Sequence, residues 1–457
     1  MFGVKENPVN AVNALRFRVA AWTIAIVALA VFGVRPASAV PAFTAKTGQP
    51  CSACHIGGFG PQLTPFGRKF KLEGYTMDAG REAFPVSAMA VSSFVTSAKA
   101  QDTPPADHYS TNNNFSLDQV SLFVAGGIGA HFGGFLQLTY DGVGRVFSWD
   151  NADFRAIDHV NLFGDDMLVG LSVNNNPGVQ DVWNTLPAWG FPYTSSALAP
   201  APAASTMFDG GFAQSVLGTT VYAYWNDSIY AEAGLYFTPA DRFLIAMGST
   251  SGPGPISGVA PYFRVAYQKD YGNQNFSIGG FGFFPSIDPG ADTSTGKTDS
   301  YTDFGLDASY QYIGDGDNIY ALNMRYTHET QYLAASFLLG NSEKTRNTLD
   351  DLRLDASYYW HNLIGGSVQL FTTMGSSDQL LYPDSASFTP DSSGVTFQID
   401  ATPWGQGDAP LGGRLSLRVG LQYTAYMRFN GGISNYDGMG RNASDNNTLR
   451  IFTWLAL

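Results

Sequence analysis

The 457-residue sequence predicts a mainly β protein: about 16 antiparallel strands closed into a transmembrane barrel, its lumen plugged by a small N-terminal helical segment. Three observations point there. Charged residues make up only 14% of the chain, well below the usage of about 25% typical of soluble domains. From residue 86 onward apolar and polar residues alternate with period two, in segments of about ten residues bounded by turn formers. The connections between those segments alternate short and long, as periplasmic turns and outer loops do.

Residues 1–39 read as an export signal. Lys5, Arg16 and Arg18 form a positive region, Val19 to Val34 is apolar and uncharged, and Ala37-Ser38-Ala39 is an A-x-A cleavage site. The apolar run is short for a spanning helix, which needs about 20 residues. Four cations against Glu6 give the signal a net charge of +3, so the whole-chain −13 becomes −16 after its removal. That balance argues against nucleic acid and for cationic partners.

Residues 40–85 carry the chemistry. Cys51-Ser52-Ala53-Cys54-His55 has the form of a c-type haem attachment site. Two thiols add to the porphyrin vinyl groups and the adjacent histidine becomes an axial ligand to iron. The chain has no other cysteine. A redox Cys-x-x-Cys has no need of the histidine, and a zinc site needs a fourth ligand nearby. Attachment of this kind follows export, so signal and motif support each other.

Next, Leu63-Thr64-Pro65-Phe66-Gly67-Arg68-Lys69-Phe70-Lys71-Leu72-Glu73-Gly74-Tyr75 reads as a short helix. Thr64 suits the N-cap, Pro65 the first helical position and Gly74 the stop. Phe66 and Phe70 lie one turn apart, placed to lie against a porphyrin. Arg68, Lys69 and Lys71 suit either haem propionates or a solvated face. For the distal iron ligand Met77 is the first expectation, with Met89, His108, His131, His159, His328 and His361 as alternatives, or an open site. So small a segment cannot bury a haem alone; a barrel lumen would supply the walls.

The barrel occupies 86–457. Over 301–312 Phe304, Leu306, Ala308, Tyr310 and Tyr312 share one face, and Asp303, Asp307, Ser309 and Gln311 the other. Over 349–360 Leu352, Leu354, Ala356, Tyr358 and Trp360 oppose Asp351, Arg353, Asp355 and Ser357. Over 414–424 Leu415, Leu417, Val419, Leu421 and Tyr423 oppose Arg414, Ser416, Arg418 and Gln422. The apolar faces suit lipid and the polar faces a wet lumen, where Arg325 and the other inward charges are placed to hold the plug or each other. Long connections are expected near 99–114, 142–153, 175–209, 248–258, 285–300, 340–348, 376–392 and 430–446. The count of 16 treats Asn318 to Gly340 as one long strand.

With these elements in view, the chain resembles the fused monohaem cytochrome c–porins of bacterial outer membranes, best known from iron-oxidising bacteria. The likeness rests on Cys51 to His55, on the Leu63 to Tyr75 segment and on the barrel that follows. Asn174-Asn175-Asn176-Pro177, Val182-Trp183-Asn184, Pro187-Ala188-Trp189-Gly190-Phe191-Pro192 and Arg441-Asn442-Ala443-Ser444-Asp445-Asn446-Asn447-Thr448-Leu449 are also similar to that family. The resemblance implies one covalent haem c, extracellular Fe(II) as electron donor and a periplasmic c-type cytochrome as acceptor, that is, iron:cytochrome c oxidoreductase activity. Outward electron flow and a solute porin with a haem-bearing plug are the competing expectations. Asp181, Asp288, Asp292, Asp384 and Asp391 in the outer loops are candidates for transient iron contact, but ordinary loop solvation is the stronger reading for each and none is named as a site.

Overall fold

In the computed structural model, residue 43 and residues 46–457 are described, except 78–85, 187–192, 315–316, 406–409 and 411–414. The export segment and Arg414 lie outside the described residues. Among the described residues no helix is long and apolar enough to cross a membrane; strands do so instead.

Sixteen long antiparallel strands form the barrel. They are β1 Val86–Ser97, β2 Asn114–Ile128, β3 Phe132–Asp141, β4 Val146–Leu162, β5 Asp165–Asn174, β6 Leu217–Trp225, β7 Ile229–Phe237 and β8 Ala260–Tyr271. The second half comprises β9 Gln274–Phe283, β10 Asp299–Ile313, β11 Asn318–Leu333, β12 Arg346–Trp360, β13 Ile364–Gly375, β14 Ser392–Ala401, β15 Ser416–Arg428 and β16 Thr448–Ala456. Each pairs with its sequence neighbour, and β1 pairs antiparallel with β16, from Met89 opposite Ala456 to Ser97 opposite Thr448, which closes the cylinder. Closure leaves no sheet edge with unpaired backbone groups, a condition for spanning lipid.

The outer face is apolar. Phe304 and Leu306 on β10, Leu354 and Trp360 on β12, and Leu421 and Tyr423 on β15 are exposed, while Asp303, Asp307, Asp351 and Arg418 between them are buried. A closed antiparallel barrel with an apolar exterior and a polar interior is the architecture of the outer membrane, and that is where this chain belongs. The turns 129–131, 163–164, 226–228 and 272–273 are short and lie at the end where β1 starts and β16 finishes. By the usual arrangement that end is periplasmic.

Two boundaries differ from the sequence reading. The connection expected over 142–153 shrinks to 142–145, because β4 begins at Val146. Asn151 and Asp153 look like loop residues in sequence. In the barrel they face inward, buried, with Asn151 donating to Gln137 and Asp153 accepting from Arg155 and Tyr75. The long strand expected to run to Gly340 stops at Leu333, and Ala334–Leu339 is helical. Asp299 accepts the backbone N–H groups of Ala335 and Ser336, satisfying the first turn of that helix.

Two segments fill the lumen. The N-terminal one contains helix α1, Cys51–Cys54, and helix α2, Pro65–Leu72. The other is formed by the described residues of the long connection 175–216, that is 175–186 and 193–216, which lie inward from the outer side; Pro187 to Pro192 lie outside the described residues. Its Asp181 pairs with Arg264, its Asp209 with Arg325, and its Thr194 accepts from Arg450. The segments meet where the Leu63 N–H donates to Asn184 Oδ1 at 2.9 Å.

Candidate haem-attachment site

The local fold of the plug follows from a few residues. Thr64 caps α2 by accepting the Gly67 N–H at 3.1 Å, and its own hydroxyl donates to the Ala53 carbonyl. Pro65 takes the first helical position, where no N–H is needed. Gly67 allows α2 to rest on α1: a Cβ there would sit 2.2 Å from the Cys54 carbonyl oxygen. The chain leaves α2 through Gly74 at φ 65°. Cys51 and Cys54, three apart on α1, share one face.

Both thiols and the His55 ring open onto one cavity of about 280 Å3. Its wall is mostly apolar and includes Phe59, Phe70, Tyr75, Phe123, Phe135, Met89 and Trp454. Lys71, Gln137, Asn151 and Asn184 also line it. The barrel residues Ser87, Met89, Trp454 and Ala456 are near the start of β1 and the end of β16, so the cavity sits in the periplasmic part of the lumen. Gly178 and Asn184, from the connection 175–216, reach it from the other side.

Burial dominates the electrostatics of this segment. Burial pushes the His55 imidazolium down to about 4; the carbonyls of Gln62 and Pro61 act upward and Arg418 downward. The ring is therefore neutral near pH 7, the form that donates to a metal. Burial raises the Cys54 thiol to about 11. Lys71 is lowered to about 8, chiefly by burial, with Asp153 at 3.9 Å acting upward and Arg155 downward. Two thiols three residues apart, an adjacent neutral imidazole and an aromatic wall around one cavity together fit haem c.

Other residues singled out by sequence fall in different places. Met77 is 40% exposed and is not among the residues lining the cavity; Met89, 5% exposed, is. His131 contacts the Ile157 carbonyl, His159 bonds Asp166 and Glu73, His328 bonds Asp350, His361 pairs with Asp317, and neither they nor His108 line it. Phe70 lines the cavity, whereas Phe66 is partly exposed and does not. Of the three cations on α2, Arg68 bonds Gln268, Asn275 and Ser309, and Lys69 pairs with Asp227 near the mouth. Lys71 alone of the three borders the cavity. Among the inward charges, Arg418 stacks over the Phe59 ring at 5.3 Å while pairing with Asp400, and Gln311 donates to the Leu63 carbonyl. Asp307, Asp351, Arg325 and Arg353 are spent on ion pairs along the wall and with the inward connection. Asp355 and Asp303 are taken up by hydrogen bonds, from Asn323 and Gln369 and from the Phe208 N–H. In the outer connections Asp181 is buried on Arg264 and Asp391 pairs with Arg428. Among the described residues no group of three His, Cys, Asp or Glu side chains gathers to hold a metal ion.

Sequence reasoning missed the barrel wall. Trp454 and Phe452 are buried inward positions of β16 that break the polar inner pattern. The signal was legible: Ile451-Phe452-Thr453-Trp454-Leu455 is apolar on both faces, which a strand with one wet face does not require. Gln137, Asn151, Asp153 and Arg155 carried no such mark.

No family model matches the chain, and no curated protein matches it. Among solved structures the chain is similar to an anion-selective porin from Comamonas acidovorans, at 13% identity over 81% of this chain and 98% of that one, TM-score 0.44. It is similar to OprB of Pseudomonas putida at 12% identity, over 82% and 93%, TM-score 0.46. It is also similar to the outer membrane protein OmpT of Vibrio cholerae at 9%, over 81% and 96%, TM-score 0.42.

Proposed function

We propose that this chain is an outer-membrane electron conduit, working through one covalently bound haem c between extracellular Fe(II) and a periplasmic c-type cytochrome. The role is the one implied by its likeness to the fused cytochrome c–porins. The observation that supports it most is the shared opening of Cys51, Cys54 and His55 onto one aromatic cavity inside the lumen. A bound haem supplies a one-electron iron centre held between protein ligands.

The chain's own residues do the rest. Cys51 and Cys54 would hold the porphyrin through thioether bonds, and His55 would offer a neutral imidazole to its iron. Phe59, Phe70, Tyr75 and Trp454 exclude water. Lys71 gives the cavity a cationic border suited to propionate carboxylates. The position near the periplasmic mouth suits a carrier docking from below. The net negative chain attracts hydrated Fe(II) from outside. Lumen stoppers on both sides argue against free solute passage, so the porin reading is the weaker of the two.

Anaerobic stopped-flow of the oxidised, purified protein with Fe(II) tests the proposal. Stoichiometric reduction of the haem bands is the expected result. Reduction by a stronger donor but not by Fe(II) would shift the reading to outward flow or another donor. A protein without covalent haem, and conducting when reconstituted in a bilayer, would replace the conduit with a pore.

A further inference from the structure

The inner face of β1 is unusual. Ser87, Met89, Val91, Ser93 and Val95 point inward and are buried, and at Met89 and Val91 the lumen wall is apolar. Phe452 and Trp454 on β16 extend the patch sideways, and Phe59 of the plug packs against it. An apolar lumen wall on a membrane barrel needs a covering group. Here the covering is incomplete, because Met89 and Trp454 border the same cavity as Cys51, Cys54 and His55.

Within that patch Met89 is held by a specific contact. The Trp454 indole Nε1–H points at Met89 Sδ, 3.3 Å away, and both side chains are nearly inaccessible to solvent. Indole N–H is a donor with no acceptor capacity, and buried tryptophan in an apolar wall ordinarily finds an oxygen partner. Its partner here is a thioether, so the pair fixes the methionine side chain across the junction where the barrel closes. Phe59 is 4.9 Å from the Trp454 ring, edge to face, and holds the indole from the plug side.

We infer that Met89 would supply the second protein ligand to the haem iron, and that Trp454 is its positioning residue. The inference rests on the haem reading above and names the ligand that His55 leaves undecided. It replaces Met77, which lies outside the cavity. One ligand then belongs to the plug and the other to the barrel wall, so ligation ties the cytochrome segment to β1. A thioether holds the potential above that of a bis-imidazole haem. The indole N–H withdraws density from the sulfur and pushes in the same direction.

The test uses the full-length, haem-loaded protein. In the ferric wild type, near-infrared magnetic circular dichroism reports a thioether-to-iron charge-transfer band; its presence is expected, and its absence in a haem-bearing protein overturns the inference. Met89→Leu is expected to open the coordination site, giving a high-spin ferric spectrum and ready carbon monoxide binding when reduced. Met77→Leu is expected to leave the spectrum as in the wild type. Trp454→Phe is expected to keep the thioether band while lowering the reduction potential; an unchanged potential would remove the positioning role. Should Met89→Leu fail to assemble, Met89→His retains two ligands and is expected to lose the band and lower the potential. A wild-type spectrum in either Met89 variant, or loss of the band in Met77→Leu, would overturn the assignment. A chain that carries no haem at all would instead fail the electron-conduit reading itself.

Discussion

The two ends of the lumen are built from the same strands but closed by different means. At the outer end, ring meets ring. Phe208 of the inward connection stacks on Phe281 at 4.3 Å, and Phe212 meets Phe283 edge to face at 5.7 Å. Arg264 and Arg325 then bind the same connection through Asp181 and Asp209. At the periplasmic end the rings of Phe59, Phe70, Tyr75 and Trp454 stand around a space instead of filling it. Close packing is the ordinary state of a protein interior, so a cavity lined by aromatic rings beside two thiols and an imidazole is the feature of the lumen on which the proposed haem site rests. The outer end is packed shut, and the periplasmic end keeps a cavity.

The comparison breaks most completely at the hollow end. Cys51→Ala with Cys54→Ala is expected to abolish covalent haem, read by haem staining on a denaturing gel, and to abolish reduction by Fe(II). The barrel is expected to survive, since its closure uses neither residue; loss of heat-modifiable migration in this variant would show that the plug is needed for barrel assembly.

The filled end is expected to respond next. Arg264 is buried, bonded to both Asp307 oxygens at 2.9 Å and within 3.4 Å of Asp181. Arg264→Met leaves two buried carboxylates without their cation, a defect of about 3–5 kcal/mol. The expected outcome is release of the connection 175–216, seen as raised conductance in bilayers and faster proteolysis, with covalent haem retained. Unchanged conductance would mean that the aromatic contacts of Phe208 and Phe212 suffice.

A smaller, pH-dependent effect belongs to the outer connections. Burial by itself would raise the Asp378 carboxyl, but bonds from the Ser342 hydroxyl, the Glu343 N–H, Asn347 and the Leu381 N–H outweigh it and hold it well below the usual carboxylate range. Its folded pKa is thus below its unfolded value of about 3.9. The stabilisation is complete above the unfolded value and is lost as pH falls through the folded one. Limited proteolysis of 334–345 and 376–391 is expected to accelerate only below about pH 4, and Asp378→Asn to show the acid behaviour already at neutral pH.

The smallest effect is expected at the mouth. Lys69 pairs with Asp227 at 3.0 Å, but both side chains are more than half exposed. Lys69→Ala is expected to change stability by less than about 1 kcal/mol, with salt screening what remains. A thermal melt with the haem spectrum as a second readout checks both; a shifted spectrum would show that the basic face of α2 matters to the cofactor site after all.

Much of this was legible in the sequence, for identifiable reasons. The alternation of Phe304 and Leu306 with Asp303 and Asp307 is a local pattern, because strand geometry turns every second residue to the same side. Thr64, Pro65 and Gly74 announced α2 through backbone chemistry that acts within a single turn. The spacing of Cys51, Cys54 and His55 likewise needs no long-range information. Residues 146–153 misled because polar side chains signal a loop only when their exposure is known, and here Asn151 donates to Gln137 while Asp153 accepts from Arg155 inside the lumen.

The sequence by itself therefore determined the strands, their lipid face, the Cys51 to His55 motif and the helix that rests on it, all set by neighbours a few residues apart. Only the tertiary structure decided which methionine shares the cavity with His55, which α2 cation borders it, and which wall residues complete it. Met77 is nearer to the motif along the chain, whereas Met89 is brought to it by barrel closure, which sets β1 against β16 and Met89 against Trp454 across 365 positions of sequence. Closure is a global event, and no local pattern records which residues it will place side by side.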